Sequence, residues 1–133
     1  AMVSVSSNAQ SATAGARKLL EENPQINLLV GFNEWSTLGV GMAIKELGLK
    51  DRVCAIGFDN NTECVGMLET GELDTLIVQN PFSMGYLAVM NAANILSGKK
   101  TESVIKTDVY VVDRSNMFSA DVQKILFGFD KYD

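Results

Sequence analysis

Asp59, Gln79 and Asn33 are the polar residues whose placement invites chemistry. Each follows a short apolar run: Ile26–Val30 leads to Gly31-Phe32-Asn33, Val53–Phe58 to Asp59-Asn60-Asn61-Thr62, and Leu73–Val78 to Gln79-Asn80-Pro81. Open α/β sheets build ligand sites this way, with polar side chains delivered at the carboxyl ends of neighbouring strands. A carboxylate at Asp59 can accept hydrogen bonds from two vicinal hydroxyls, and such charge-assisted bonds contribute about 1.5–3 kcal/mol each. Asn33 and Gln79 each offer a donor and an acceptor, matching the dual character of a hydroxyl. A carboxylate with amides is the chemistry of carbohydrate recognition, and the three residues are expected to form one wall of a small-molecule site. An Asp or Asn after a strand is also a common helix N-cap, which gives Asp59 a competing structural role. Trp35 either covers the apolar face of a sugar ring or fills a gap between two helices.

Other chemistries lack their residues. The 133-residue chain has no histidine, which removes His-based acid–base catalysis and mixed His/Cys zinc sites. Ser6, Ser7, Ser36 and Ser83 have no base to activate them. Cys54 and Cys64 show no CxxC spacing; the strand position of Cys54 predicts a buried thiol, and a disulfide between the two stays open. Gly39-Val40-Gly41 falls within a helical pattern rather than directly after a strand, and neither GxGxxG nor GxxxxGK[ST] occurs. A phosphoacceptor domain would carry acidic residues after its first strand, where this chain has serines. The chain is therefore expected to be no enzyme, with no cofactor and no metal. A net charge of −5 without a Lys/Arg cluster gives this segment no nucleic-acid surface. No apolar run reaches the roughly 18 residues of a membrane-spanning helix, and the first residues show no signal-peptide pattern.

The elements that position these residues follow from periodicity. With 47% apolar and 20% charged residues, the composition is that of an ordinary globular domain. Ala1-Met2 reads as a cloning remnant ahead of a first strand, Met2–Val5. Ala12, Ala16, Leu19 and Leu20 recur near a 3.6-residue period until Asn23-Pro24. Ile26–Val30 is nearly all apolar, as in a strand covered on both faces. Leu38, Met42, Ala43, Ile44 and Leu47 give a helical stripe that Gly48 ends. A helix face at Val65, Met67 and Leu68 closes at Gly71, and Pro81 opens a long helix running to Gly98. Val104–Val112 reads as an edge or crossover strand, and Ile125-Leu126-Phe127 as a short helix or packing tail within 113–133. The order βαβαβαβαβ predicts an α/β, doubly wound, Rossmann-like parallel sheet with helices on both faces over residues 10–71.

Four stretches add a family likeness: GFNEWSTLGVGMAIKELG (Gly31–Gly48), IGFDNN (Ile56–Asn61), ETGELDTLIVQNPFSMGYLAV (Glu69–Val89) and VYVVDRSNM (Val109–Met117). They resemble type I periplasmic binding proteins, and within those the ribose/galactose-type sugar-binding proteins of ABC importers. The resemblance covers about residues 2–117 and implies an incomplete lobe. Residues 2–79 correspond to part of the second lobe, and 80–133 to a crossover helix, return strand and C-terminal tail. In that family two lobes close on a sugar like a hinge, and Asn33, Asp59 and Gln79 occupy contact positions of the second lobe. Trp35 departs from the small, acidic or apolar residues usual there. The first lobe and the opening βα unit with its arginine are absent.

The resemblance implies non-catalytic recognition of a monosaccharide or related small polar ligand. The implied partners are the missing N-terminal lobe and an ABC permease or signalling protein. An extracytoplasmic location follows, periplasmic or as a lipoprotein. The same fold serves LacI-type regulators, which are cytoplasmic, and sensor domains of histidine kinases; an enzyme fragment with a Rossmann-like fold is a further alternative. Met84, Leu87, Met90 and Ile95 would lack their usual cover, which implies a homodimer, with exchange of the segment after Asn80 as one route.

Overall fold

The structure, a computed structural model, describes residues 1–127; the end of the expected tail, residues 128–133, lies outside the described residues. The elements in order are α1 (Ala9–Glu22), β1 (Leu28–Val30), α2 (Glu34–Leu47), β2 (Cys54–Phe58), α3 (Thr62–Thr70), β3 (Thr75–Gln79), α4 (Pro81–Leu96), β4 (Val109–Asp113) and α5 (Ala120–Phe127). They fall into two compact units, Ala1–Val78 with the chain from Val111 onward, and Gln79–Tyr110.

The first unit holds an open sheet in the order β1-β2-β3-β4. β1–β2 and β2–β3 are parallel, with Leu28 opposite Cys54 and Ile56 opposite Thr75. Local chemistry sets the helix limits. Asn8 caps α1 by accepting from the Ser11 amide at 2.8 Å, and Gly48 and Gly71 end α2 and α3 in left-handed conformations (φ 64° and 90°). Glycine, without a Cβ, adopts that backbone at the least cost.

Two glycines let elements approach closely. A Cβ at Gly39 would lie 2.4 Å from Ala12 Cβ, so α1 and α2 meet almost backbone to backbone. A Cβ at Gly57 would lie 2.1 Å from Thr37 Cγ2, so α2 sits directly on β2. At the amino ends of β2 and β3, Arg114 following β4 reaches the Leu73 carbonyl at 3.1 Å and Asp74 at 3.2 Å, while Asp74 accepts from the Ala55 amide at 2.8 Å.

The open α/β sheet, with β1, β2 and β3 parallel, is as expected. Strand order follows chain order. α1 contacts α2, and α2 contacts α3. Burial is deeper on one face of the strands: Ala55, Gly57, Leu76 and Val78 are buried, whereas Ile56, Phe58, Thr75 and Ile77 between them are half-buried and Cys54 is exposed. Cys54 therefore has an exposed thiol rather than the buried one expected, because it points to the less deeply buried face; the buried cysteine is Cys64 of α3, and both are free thiols. Residues 2–5 are not a strand, since no hydrogen-bonded neighbour engages them. β4 starts at Val109, not Val104.

In the second unit, α4 starts at Pro81 behind an Asn80 cap that accepts from the Ser83 amide at 2.9 Å. None of its residues is buried; Met84, Met90 and Ile95 are exposed and Leu87 is half-buried.

The glycines divide by what a methyl group would meet. Gly57→Ala should lower unfolding stability in urea by about 1–3 kcal/mol through overpacking against Thr37. Gly66→Ala, inside α3 with open space at the added Cβ, should raise it by about 0.5–1 kcal/mol. Equal effects from the two changes would contradict this account of α2–β2 contact.

Candidate functional site

Thr37 joins the elements at the carboxyl end of the sheet. It is fully buried one turn into α2, and its Oγ1 donates to the Phe58 carbonyl (3.1 Å) and accepts from the Phe58 amide (2.7 Å). The last residue of β2 is thus bonded to α2 through both its main-chain groups. Gly31 permits the same closeness on the β1 side, where a Cβ would lie 2.6 Å from the Thr37 nitrogen. Phe32 and Phe58 then stand side by side, with ring centroids 6.2 Å apart.

From this platform the loops project their polar residues. Asn33 is exposed and is the N-cap of α2. Its Oδ1 accepts from the Ser36 amide and hydroxyl, both at 2.9 Å, and the Ser36 hydroxyl accepts from the Asn33 amide at 3.0 Å. The cap occupies the side-chain oxygen; the side-chain nitrogen makes no hydrogen bond among the described residues and is a donor in waiting.

Asp59 is not the cap of α3. Asn61 has that role, accepting from the Glu63 amide at 2.8 Å. Asp59 instead has φ 71°, the one non-glycine residue with positive φ among those described. Its amide bonds the Ile77 carbonyl at 3.0 Å, but its half-buried carboxylate makes no hydrogen bond or ion pair among the described residues. A non-glycine residue in the left-handed region costs on the order of 1 kcal/mol, less for Asp and Asn than for most.

The next two residues anchor that bend. Asn60 donates to the Leu126 carbonyl at 2.7 Å and the Ile125 carbonyl at 3.3 Å, which ties the loop to the end of α5. Asn61 donates to Glu34 at 2.7 Å, linking the starts of α2 and α3 and so the Asn33 and Asp59 loops. Sequence reasoning missed Thr37, Glu34, Asn60 and Asn61 as parts of the site. Only the polar run Asp59–Thr62 hinted at them, because their partners are distant in the chain. Trp35, in the first turn of α2, is 40% exposed. Gln79 is exposed at the carboxyl end of β3, where the second unit begins.

The electrostatics are acidic. Burial pushes the Cys64 thiol up to about 12, and the Glu34, Glu63 and Asp59 carboxylates add to that rise. Three carboxylates acting on one buried thiol place a negative field at this end of the sheet, which opposes an anion.

An open α/β lobe with an amide donor and a carboxylate, both unpaired among the described residues, beyond its strand ends has the arrangement found in ligand-binding lobes. The family profile described as "Periplasmic binding protein domain" matches residues 2–100, and the chain belongs to that family. It is 31% identical over 94 residues to the ribose import binding protein RbsB of Haemophilus influenzae (71% of this chain, 32% of that protein). It is 34% identical over 87 residues to RbsB of Bacillus subtilis (65% of this chain, 28% of that protein). The chain thus spans about a third of the length of these curated relatives. Among solved structures, an ABC transporter solute-binding protein of Agrobacterium vitis with bound D-fucose matches with TM-score 0.85 and 29% identity, covering 96% of this chain and 44% of that one. A carbohydrate transporter solute-binding protein of Agrobacterium radiobacter in complex with D-arabinose matches with TM-score 0.83 and 30% identity, covering 92% and 41%.

Position 59 and the two thiols give direct checks. Asp59→Ala should be less stable than Asp59→Gly by about 1 kcal/mol in urea unfolding, because only glycine relieves the left-handed backbone. Equal stabilities would mean that the bend is not held in solution. A thiol reagent at pH 8 should label Cys54 in the folded chain and Cys64 only on unfolding. The Cys64 pKa is raised from 9.0 to about 12 by folding, so the protonated thiol favours the fold. That contribution is full below pH 9 and is lost as pH rises toward 12, and a Cys64→Ala variant should lack this alkaline loss.

Proposed function

We propose that this chain supplies one wall of a sugar site in a non-catalytic, extracytoplasmic solute-binding protein that feeds an ABC importer. The observation that carries the reading is the Asp59 carboxylate, without a partner among the described residues and held on left-handed backbone at the carboxyl end of β2 while Asn61 does the capping. A strained polar residue with no structural partner marks a functional position. In this reading Asp59 accepts from two neighbouring hydroxyls and Asn33 donates through its free side-chain nitrogen. Gln79 supplies a further amide, and Trp35 lies against the ring. The acidic surroundings select a neutral aldose or polyol over a sugar phosphate.

The relatives support that substrate class. Two are ribose import binding proteins, a third is a D-allose-binding periplasmic protein of Escherichia coli, and the solved neighbours hold D-fucose and D-arabinose. Residues 2–79 then belong to a second lobe, and 80–133 form the crossover helix, return strand and tail. The partners are the rest of the two-lobed fold and an ABC permease, and the exposed α4 face makes self-association a further expectation.

The test is a chimera in which this chain replaces its counterpart in the B. subtilis RbsB, titrated calorimetrically with D-ribose, D-allose, D-arabinose and D-fucose. At least one sugar should bind, and Asp59→Asn should weaken it by roughly 2–4 kcal/mol, since an amide donor then faces hydroxyls that need an acceptor. A folded chimera that binds a sugar equally well with and without Asp59→Asn would sink the assignment. Tighter binding of ribose 5-phosphate than ribose would overturn the electrostatic argument.

A further inference from the structure

Helix α2 holds the Asp59 loop on both sides of the aspartate. Before it, the Thr37 hydroxyl bonds the amide and the carbonyl of Phe58. After it, the Glu34 carboxylate accepts from the Asn61 side-chain nitrogen at 2.7 Å. The same helix is capped by Asn33, whose carbonyl accepts from the Thr37 amide at 2.8 Å. The loops that carry the Asn33 donor and the Asp59 acceptor are therefore both fixed to one helix.

Glu34 is half-buried at the first position of α2, next to Asn33 in the chain. Any carboxylate in a first turn is favoured by the helix dipole, whatever it touches. This one is bonded to the cap of the next helix. Asn61 uses both ends of its side-chain amide: Oδ1 accepts from the Glu63 amide at 2.8 Å and closes the start of α3, while Nδ2 donates to Glu34. A charged acceptor makes the second bond stronger than one between neutral groups. Because it runs from cap to cap, it resists any drift of the first turn of α3 against α2. Such a drift would carry Asp59, two residues before Asn61, away from Asn33.

We infer that Glu34 is a positioning residue: through Asn61 it fixes the Asp59 acceptor relative to the Asn33 donor, and so which hydroxyls a ligand can present to both. Its hydrogen bond carries this role, and its negative charge does not. The consequence for binding rests on the sugar reading, whereas the joint between the two loops does not.

The test exchanges donor and acceptor. Asn61→Asp keeps an oxygen for the Glu63 amide but sets a second carboxylate against Glu34. Glu34→Ala removes the acceptor, and Glu34→Gln keeps an acceptor oxygen without the charge. Glu34→Gln combined with Asn61→Asp rebuilds the bond in reverse, the new amide donating to the new carboxylate, with net charge unchanged. The first readout is amide hydrogen exchange by NMR on the chain as it stands. Asn61→Asp and Glu34→Ala should each lower the protection factor of the Asp59 amide by about threefold or more, and the double variant should restore it. The second is sugar affinity in the RbsB chimera. Asn61→Asp and Glu34→Ala should each weaken binding by about tenfold, while Glu34→Gln and the double variant should stay within about threefold of the parent. The inference is overturned if Asn61→Asp leaves Asp59 protection unchanged, or if the double variant is no better than Asn61→Asp alone. It also fails if Glu34→Gln weakens binding as much as Glu34→Ala, which would make the charge or a direct ligand contact the agent, or if protection returns without affinity. A parent chimera that binds no sugar would count against the sugar reading, and the exchange data alone would then decide the joint.

Discussion

A single buried hydroxyl, that of Thr37, holds the binding end of this lobe together. By bonding both the amide and the carbonyl of Phe58, it stands in for the next residue of a strand and ends β2 against α2 instead of a neighbouring strand. Inside the core an unmade hydrogen bond costs more than a made one gains, so the pair specifies geometry more than it adds stability. The consequences spread outward. Gly31 and Gly57 must lack side chains for Thr37 to sit where it does. Phe58 is then fixed, and Asp59 has to turn through left-handed backbone to let the chain reach the Asn61 cap.

The two ends of the sheet divide the work. At the amino end, Arg114 and Asp74 satisfy loop carbonyls and a strand amide, a closed set of contacts that joins β4 to β2 and β3. At the carboxyl end the contacts are left incomplete: the Asn33 side-chain nitrogen and the Asp59 carboxylate have no partner among the described residues. Those loops are braced from behind, by Glu34 on Asn61 and by the end of α5 on Asn60, so unpaired groups stand on fixed backbone. Binding sites gain from this arrangement, since groups already held in place lose less freedom when a ligand arrives.

Much of this was legible in the residues. The runs ending in Asn33, Asp59 and Gln79 placed three strand ends, and Gly48, Gly71 and Pro81 marked helix limits that the structure reproduces. Local rules sufficed there because capping and turn chemistry depend on a few adjacent residues. What was not legible depends on neighbours distant in sequence. Met2–Val5 has the composition of a strand but no partner to bond. Cys54 has the pattern of a buried residue but lies on the less deeply buried side of the sheet. Thr37 looked like any helix threonine, since its partner lies 21 residues away. Asp59 could be read as a cap until Asn61 was seen to fill that role.

The left-handed turn at position 59 also narrows what heredity can do there. Glycine, asparagine and aspartate are the residues that this backbone accepts at small cost, and an aspartate codon lies one base from codons of each of the other two. A lineage can therefore exchange the carboxylate for an amide or for nothing in one mutational step without unfolding the lobe. Most other replacements meet a steric penalty before any question of ligand arises. In the proposed reading, recognition at this residue is in that sense detachable, free to be lost or retuned while the architecture beneath it is inherited unchanged.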